Sequence, residues 1–416
     1  MTLLNPQSGE RGSAAGPAAR TYPSDQRRQA TALASAALDF LPGDLPTVSG
    51  SGEAADLSQA YSEHPGIEIA PPDPVARSHA DPFAAQSGRN AQHAHLIAAS
   101  MEAARAVRPT SDWTRIKLAS VITAIRAGAG QGRGDYFAPW LRIRRNFSSP
   151  VSHQVAESVG INARNHHFLS KLEYHTAILI AYLGVSSELR EGLPMWPFEH
   201  YHPGTHLGST RIQPRRVPGL LEIARDAGIS HGCFVGTKVP YIGTIDQMHT
   251  TAYTDQGAVL LGVSCKPAAL VHTSERNRER LELDRRYCEV TGALHVIEYG
   301  LDFKTAFYKL LLKQLRDFKP LTSEIRKHRG TQCLLDFAGN FERLADAHPI
   351  CDAARLAGAQ VGLDTSQSYL FFRVAAWTHL VDIDFSQPLQ MEKPIKRGAA
   401  RVLDVLRLRY LGGSHV

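Results

Sequence analysis

Apolar positions recur with two different periods along this chain, and the change of period from region to region predicts its elements. Phe168, Leu172, Leu179 and Leu183 fall on one face of a helix, so Phe168–Leu183 is expected to be helical and half-buried. Leu118, Ile122 and Ile125 do the same within a helix expected over Asp112–Ala127, and another is expected over His95–Val107. Short apolar runs predict strands around Val239–Ile245 and Ala258–Lys266, with a further one at Leu294–Ile297. A helix rich in arginine, about Ser274–Thr291, separates the last two. Strand, helix and strand in that order predict an α/β domain with a mixed sheet. From residue 301 onward the pattern turns mostly helical, with Thr305–Arg316, Leu334–Ala347 and the apolar segment Leu370–Val381.

Composition divides the chain further. With 416 residues there is room for two or three domains. Residues 1–92 are rich in Ala, Ser, Gly and Pro with little periodicity, which predicts a mostly disordered tail. Residues 93–134 read as a helical segment ending in the glycine-rich hinge Gly128–Gly134. Residues 135–300 read as the α/β domain and 301–416 as a mostly helical domain suited to a partner. Residues 1–95 hold six Lys/Arg against ten Asp/Glu although the whole chain is at +6, so the remainder is basic and suits a polyanion such as DNA. The five cysteines form no CxxC pair, which argues against a disulfide framework or zinc ribbon and for reduced thiols in the cytoplasm. The longest clear apolar stretch, Ala177–Val185, is too short to cross a bilayer, so no membrane partner is expected. The glycine run lacks the preceding strand and the Gly-Lys-Ser/Thr ending of a phosphate loop, and so reads as a linker.

Candidate chemistry centres on Asp246 and Lys266. Lys266 closes the run Ala258–Lys266, and strand alternation puts Ser264 and Lys266 on one face. An acid on one strand and a lysine at the end of the next is the layout of a metal-dependent phosphodiesterase of the restriction-endonuclease-like kind. There the acid holds a divalent cation, and the lysine neutralises the attacked phosphate or orients the water. Mg²⁺ takes hard oxygen ligands and keeps several waters, so a second carboxylate is wanted; Glu173, at the margin of the apolar face of its helix, is the choice. Each residue also has an ordinary reading: Glu173 as a solvated helix carboxylate, Asp246 as a turn residue, Lys266 as a strand-end lysine before Pro267.

The surrounding text sharpens this. Tyr136–Leu141, Ser148-Ser149, Arg164–Glu173, Glu188–Pro194, Glu222–His231, Gly243–Asp246 and Val263–Pro267 follow one another in an order and spacing that resembles the TnsA family. That family supplies the endonuclease subunit of heteromeric TnsA/TnsB-type transposases. The likeness runs over roughly residues 136–300, and Asp382–Leu389 is similar to the end of the family's C-terminal domain. It implies a restriction-endonuclease-like fold, with a mixed sheet flanked by helices. It also implies Mg²⁺-dependent cutting of transposon 5′ ends, for which Mn²⁺ can substitute. A TnsB-like transposase would cut the 3′ ends, and a TnsC-like ATPase would dock on residues 301–416. By motif, Glu173 and Asp246 are implied as metal-binding acids, Cys265 as the donor of a backbone carbonyl to the metal, and Lys266 as the catalytic lysine. Ser264 stands where the family commonly has Gln, and can still hold a metal-bound water at shorter reach. Gly192 stands where the family often has Gln, a difference expected to be structural.

Other signals are weaker. The loop Glu199–His206 holds three histidines but no HExxH helix or partner cysteines, so a polar loop is preferred to a zinc site. His166-His167, near the start of the Glu173 helix, could approach the scissile phosphate, but a structural pair is the preferred reading. Arg276, Arg280 and Arg285, soon after Lys266, are expected to contact DNA phosphates, although interleaved glutamates also make an ordinary solvated face. A stand-alone restriction or repair nuclease and a catalytically silent DNA-binding scaffold are the competing functions.

Overall fold

The computed structural model describes residues 84–105, 111–143, 154–205, 215–254 and 257–412. The expected disordered tail lies outside these residues except for its last nine, which already belong to the first helix, α1 (Ala84–Arg105). Helix α2 (Asp112–Arg126) follows, opened by Ser111, whose hydroxyl accepts from the amide of Thr114. Ile97, Met101, Val121 and Ile125 join these two helices to Trp140, Trp196 and Ile242 in one small core. Next come β1 (Val155–Glu157), β2 (His166–Phe168), α3 (Lys171–Leu183) and β3 (Glu188–Met195). The short strands β4 (His200–Tyr201) and β5 (Arg216–Val217) lead to α4 (Leu220–Asp226), and then to the long strands β6 (Gly243–Thr254) and β7 (Gly257–Cys265). Helices α5 (Ala268–Thr273) and α6 (Glu275–Val290) carry the chain to β8 (Leu294–Glu298).

The central sheet has the order β3-β6-β7-β8, with β3/β6 and β6/β7 antiparallel and β7/β8 parallel. It is a mixed sheet flanked by helices, as expected of a restriction-endonuclease-like fold. Leu261, Val263 and Cys265 of β7 pack with Ala177, Ile178 and Ile180 of α3. On the opposite face, Leu260 and Met248 pack with Leu283, Tyr287 and Cys288 of α6 and with Leu220 and Ile223 of α4. Alternation along β7 assigns the faces: odd positions meet α3, even positions meet α6.

Among the differences from the sequence expectation, two bear on the site. The strand anticipated at Val239–Ile245 begins only at Gly243 and continues to Thr254, because Val239 lies in a loop where Cys233 bridges Pro240. Strand β3 was not anticipated, since Glu188, Arg190, Glu191, Gly192 and Pro194 break any apolar pattern. It is nevertheless buried almost throughout. Its charges are neutralised inside the fold: Arg133 lies 2.6 Å from Glu188, and Arg164 lies 2.6 Å from Glu191. The glycine-rich turn is part of that arrangement. The Gly134 amide and the Arg133 side chain both donate to the Glu188 carboxylate, at 2.6 and 2.9 Å. The turn therefore cradles an anion, and that anion is the protein's own.

Beyond β8, helices α7 (Ala306–Phe318), α8 (Thr322–His328), α9 (Gln332–Leu344), α10 (Ile350–Gln360), α11 (Thr365–Trp377) and α12 (Ala399–Leu411) form the helical C-terminal region. Leu311, Phe337, Phe341, Phe372 and Leu406 share one continuous core with Ile178, Tyr182 and Val263, so no gap in packing separates the segments on either side of residue 300. The Asp382–Leu389 segment fixes the start of α12. Asp382 Oδ1 accepts from the amides of Gly398 and Ala399 at 3.0 and 2.8 Å.

Candidate active site

Glu173 sits in the first turn of α3, where it closes a reciprocal cap. Its amide donates to Ser170 Oγ at 3.2 Å, while Ser170 Oγ and the Leu169 amide each donate to its carboxylate at 2.9 Å. The residue is only 8% exposed. Burial, and after it the nearby Asp246, push its carboxyl up to about 8; the two hydrogen bonds and Lys266 oppose this more weakly. A capping glutamate at a helix surface has no reason to be shifted this way. The shift marks an acid shut in with a second acid.

Asp246 reaches that position through an irregularity in the sheet. The register places it opposite Gly192, between the pairs Glu191↔Gln247 and Leu193↔Ile245. In a regular strand residues two apart share a face. Here Glu191 meets Arg164 and Gln247 meets the Glu173 carbonyl on the α3 side, whereas Leu193 and Ile245 join the α6-side core. Gly192 has φ +55°, a left-handed conformation that glycine adopts without strain, and the strands change face there. The expectation that this glycine is a structural difference acquires a reason. The half-buried Asp246 then turns across to β7, and its Oδ2 accepts from the Cys265 amide at 2.7 Å.

Lys266 follows immediately. Its amide donates to the Glu298 carbonyl at 2.9 Å, continuing the β7/β8 ladder, and its half-buried ammonium acts on both Glu173 and Asp284. Three residues expected together from the sequence therefore lie close enough for Asp246 and Lys266 to act on Glu173, from a strand, a strand end and a helix N-terminus respectively. Their donor chemistry fits a hard divalent cation. Two carboxylates repel one another in a confined space, and a cation between them would remove that penalty. Among the described residues no group of three or more His, Cys, Asp or Glu forms a ready metal cluster, so water and backbone oxygen would complete a coordination shell.

The remaining candidates are placed as follows. The amide of Cys265 holds Asp246. Its buried thiol lies against Thr176 Oγ1 and Gln247 Nε2 at 3.8 and 3.9 Å, and burial drives the thiol well above its ordinary range. Ser264 is fully buried; its hydroxyl donates to Asp284 Oδ2 and pairs with His295 Nε2, each at 2.9 Å. It thus faces α6 rather than Glu173. Arg280 donates to the Thr244 carbonyl at 3.1 Å and lies 3.6 Å from Asp284. Arg276 and Arg285 are exposed but already paired, with Glu279 at 2.8 Å and with Glu282 at 2.7 Å. His166 is buried against Glu191 at 3.0 Å, and His167 Nδ1 accepts from the Ile143 amide at 3.3 Å. In the histidine-rich loop, His200 bonds the Tyr287 hydroxyl at 3.0 Å and His202 the Thr291 carbonyl at 2.6 Å.

Two residues of the site escaped the sequence reading. Gln247 Nε2 donates to the Glu173 carbonyl at 2.7 Å, tying β6 to the start of α3. Asp284 is buried under Ser264, and burial raises its carboxyl to about 6 against the pull of Arg280, with Asp246 adding to the rise. The only signal for Asp284 was its place one turn beyond Arg280 on an arginine-rich face.

The chain is 30% identical over 167 residues to the transposon Tn7 transposition protein TnsA of Escherichia coli. The match covers 39% of this chain and 50% of that protein, so the chain spans about half the length of the curated relative it matches. No family model matches. Among the described residues, no helix is long and apolar enough to cross a membrane.

Proposed function

We propose that this chain is a TnsA-like, Mg²⁺-dependent DNA endonuclease subunit of a heteromeric transposase, cutting double-stranded DNA at the 5′ ends of the transposon. The observation that carries the reading is the convergence of Glu173, Asp246 and Lys266, with Glu173 raised to about 8 by burial and by its neighbouring acid. The relationship to a transposition protein supports it from a separate direction. Glu173 and Asp246 would hold Mg²⁺, with the Cys265 carbonyl as a further oxygen donor; Mn²⁺ would substitute. Bound there, the cation supplies Lewis-acid stabilisation of charge at the phosphate and a more acidic water. The chain's own part is positional. Cys265 fixes Asp246 through its amide, Ser170 and Leu169 fix Glu173, and the Lys266 ammonium neutralises charge at the attacked phosphate. By the same reading the partners are a TnsB-like transposase, which makes the 3′ cuts, and a TnsC-like ATPase docking on residues 301–416.

The test is cleavage of a plasmid carrying the transposon ends, with Mg²⁺, with and without the cognate transposase. Asp246→Ala and Lys266→Ala are each expected to lower 5′ cutting by about 10²–10³-fold or more. Persistent 5′ cuts in both variants would remove the site assignment. Cutting without the transposase favours a stand-alone nuclease, and a wild type that never cuts favours a DNA-binding scaffold.

A further inference from the structure

The turn that follows β8 touches both ends of the candidate site. Its Glu298 carbonyl accepts the Lys266 amide at 2.9 Å. Two residues on, Gly300 has φ +71° and lies so close to Leu172, the neighbour of Glu173, that a Cβ there would come within 2.7 Å of the Leu172 side chain. A side chain at this position would be strained by its backbone and would displace the Leu172 side chain. The end of β8 and its turn thus touch both the strand end that bears Lys266 and the side chain that precedes Glu173.

The same turn is clamped from the far end of the chain. The Glu298 carboxylate, 1% exposed as a side chain, takes four donors. Arg409 gives two in a fork, Nη2 to Oε1 at 2.7 Å and Nε to Oε2 at 2.8 Å. Tyr410 gives its hydroxyl at 3.2 Å and Gly300 its amide at 2.8 Å. Arg409 Nη1 also reaches Asp302 at 2.8 Å, and its guanidinium lies over the rings of Phe303 and Tyr308 at 5.4 and 5.2 Å. A planar fork stacked on aromatic rings fixes direction as well as charge, which a lysine would not do. Helix α12, which bears Arg409, also packs against α3, which bears Glu173.

We propose that Arg409 is a positioning residue: through Glu298 it sets Lys266 relative to Glu173, so that the C-terminal helix α12 governs the geometry of the candidate site more than 100 residues away in sequence. The inference rests on the proposed role of Lys266 in cleavage. It gives the C-terminal region a physical handle on the site, since displacement of α12 by a bound partner would release the turn.

The experiment uses the full chain and two readouts. Arg409→Met leaves a buried carboxylate unpaired and risks unfolding, so it is paired with the double change Arg409→Met with Glu298→Gln, which removes both charges. Amide hydrogen exchange at Lys266 reads the contact directly. Exchange there is expected to rise about tenfold or more in both variants, while amides in α9 keep wild-type protection. Mg²⁺-dependent cutting should fall in kcat with KM little changed, and Arg409→Lys should recover it only in part. Unchanged exchange at Lys266 overturns the proposal, as does an equal loss of protection in α9, which would mean general destabilisation. If wild type does not cut, the cleavage reading fails by itself, and the exchange result alone decides the positional claim.

Discussion

Two buried carboxylates on neighbouring elements meet opposite fates. Glu188 opens β3 and is desolvated, yet Arg190 and Arg133 outweigh that burial and hold it down at about 2. Glu173, at the start of α3, is also desolvated, but the strongest charge acting on it is that of another acid, Asp246, and it rises to about 8. The first region is electrostatically complete: two guanidiniums, the Gly134 amide and the Thr250 hydroxyl surround one carboxylate. In the second, Glu173 has an amide donor, a hydroxyl donor and the pull of Lys266, while Asp246 has the Cys265 amide and lies in the field of Arg280. The fold that holds Glu188 and Glu191 down at about 2 leaves Glu173 raised beside a second acid, and that contrast makes Glu173 and Asp246 the candidate site.

The contrast can be broken most forcefully at Glu188. Glu188→Gln strands two guanidiniums, one of them almost fully buried, and should lower the unfolding free energy by about 3–5 kcal/mol in a denaturant titration. A loss below about 1 kcal/mol would mean that the cluster is not a compensated unit. The acid limb of stability is the next test. The Glu188 carboxyl is lower folded than unfolded, so its contribution is present above its ordinary value of 4.5 and is lost as pH falls toward about 2. That contribution is of order 3 kcal/mol, and the slope of melting temperature over this window should flatten in Glu188→Gln.

Mg²⁺ sharpens the other half of the comparison. At roughly one hundred times its Kd it should stabilise the wild type by about 2.7 kcal/mol. The effect should vanish in Glu173→Gln and in Asp246→Asn but survive in Glu188→Gln. Equal Mg²⁺ responses in all four proteins would erase the distinction between the two regions. The smallest effect is at Ser264. Ser264→Ala removes a hydroxyl from the buried Asp284 and should cost about 1–3 kcal/mol of stability, while Mg²⁺ stabilisation changes little. Loss of the Mg²⁺ response in that variant would return Ser264 to the metal's surroundings.

Much of the fold was legible because burial on one face leaves a periodic trace. Helix α3 and strand β7 stand close to where their apolar spacing put them, and the Asp246–Lys266 pair was visible as an acid before a strand that ends in lysine. Strand β3 left no such trace. Its interior charges find partners at residues 133 and 164, more than 20 positions away, and no local pattern encodes those pairs. The facing of Ser264 could be read only as shared with Lys266; that it meets Asp284 and His295 depends on how α6 and β8 pack.

The sequence by itself determined the periodic elements, the order of the chemistry-bearing residues and the likeness to the TnsA family, because these are properties of neighbouring positions and their spacing. Tertiary structure alone decided the rest. It set which carboxylate is neutralised and which is not, it made Gly192 the point where Asp246 turns toward β7, and it brought Arg409 onto the turn beside Lys266. Each of these depends on charges and hydrogen bonds that form only when segments distant in the chain are desolvated together, and their energy is fixed by the partners they meet rather than by the residues that flank them.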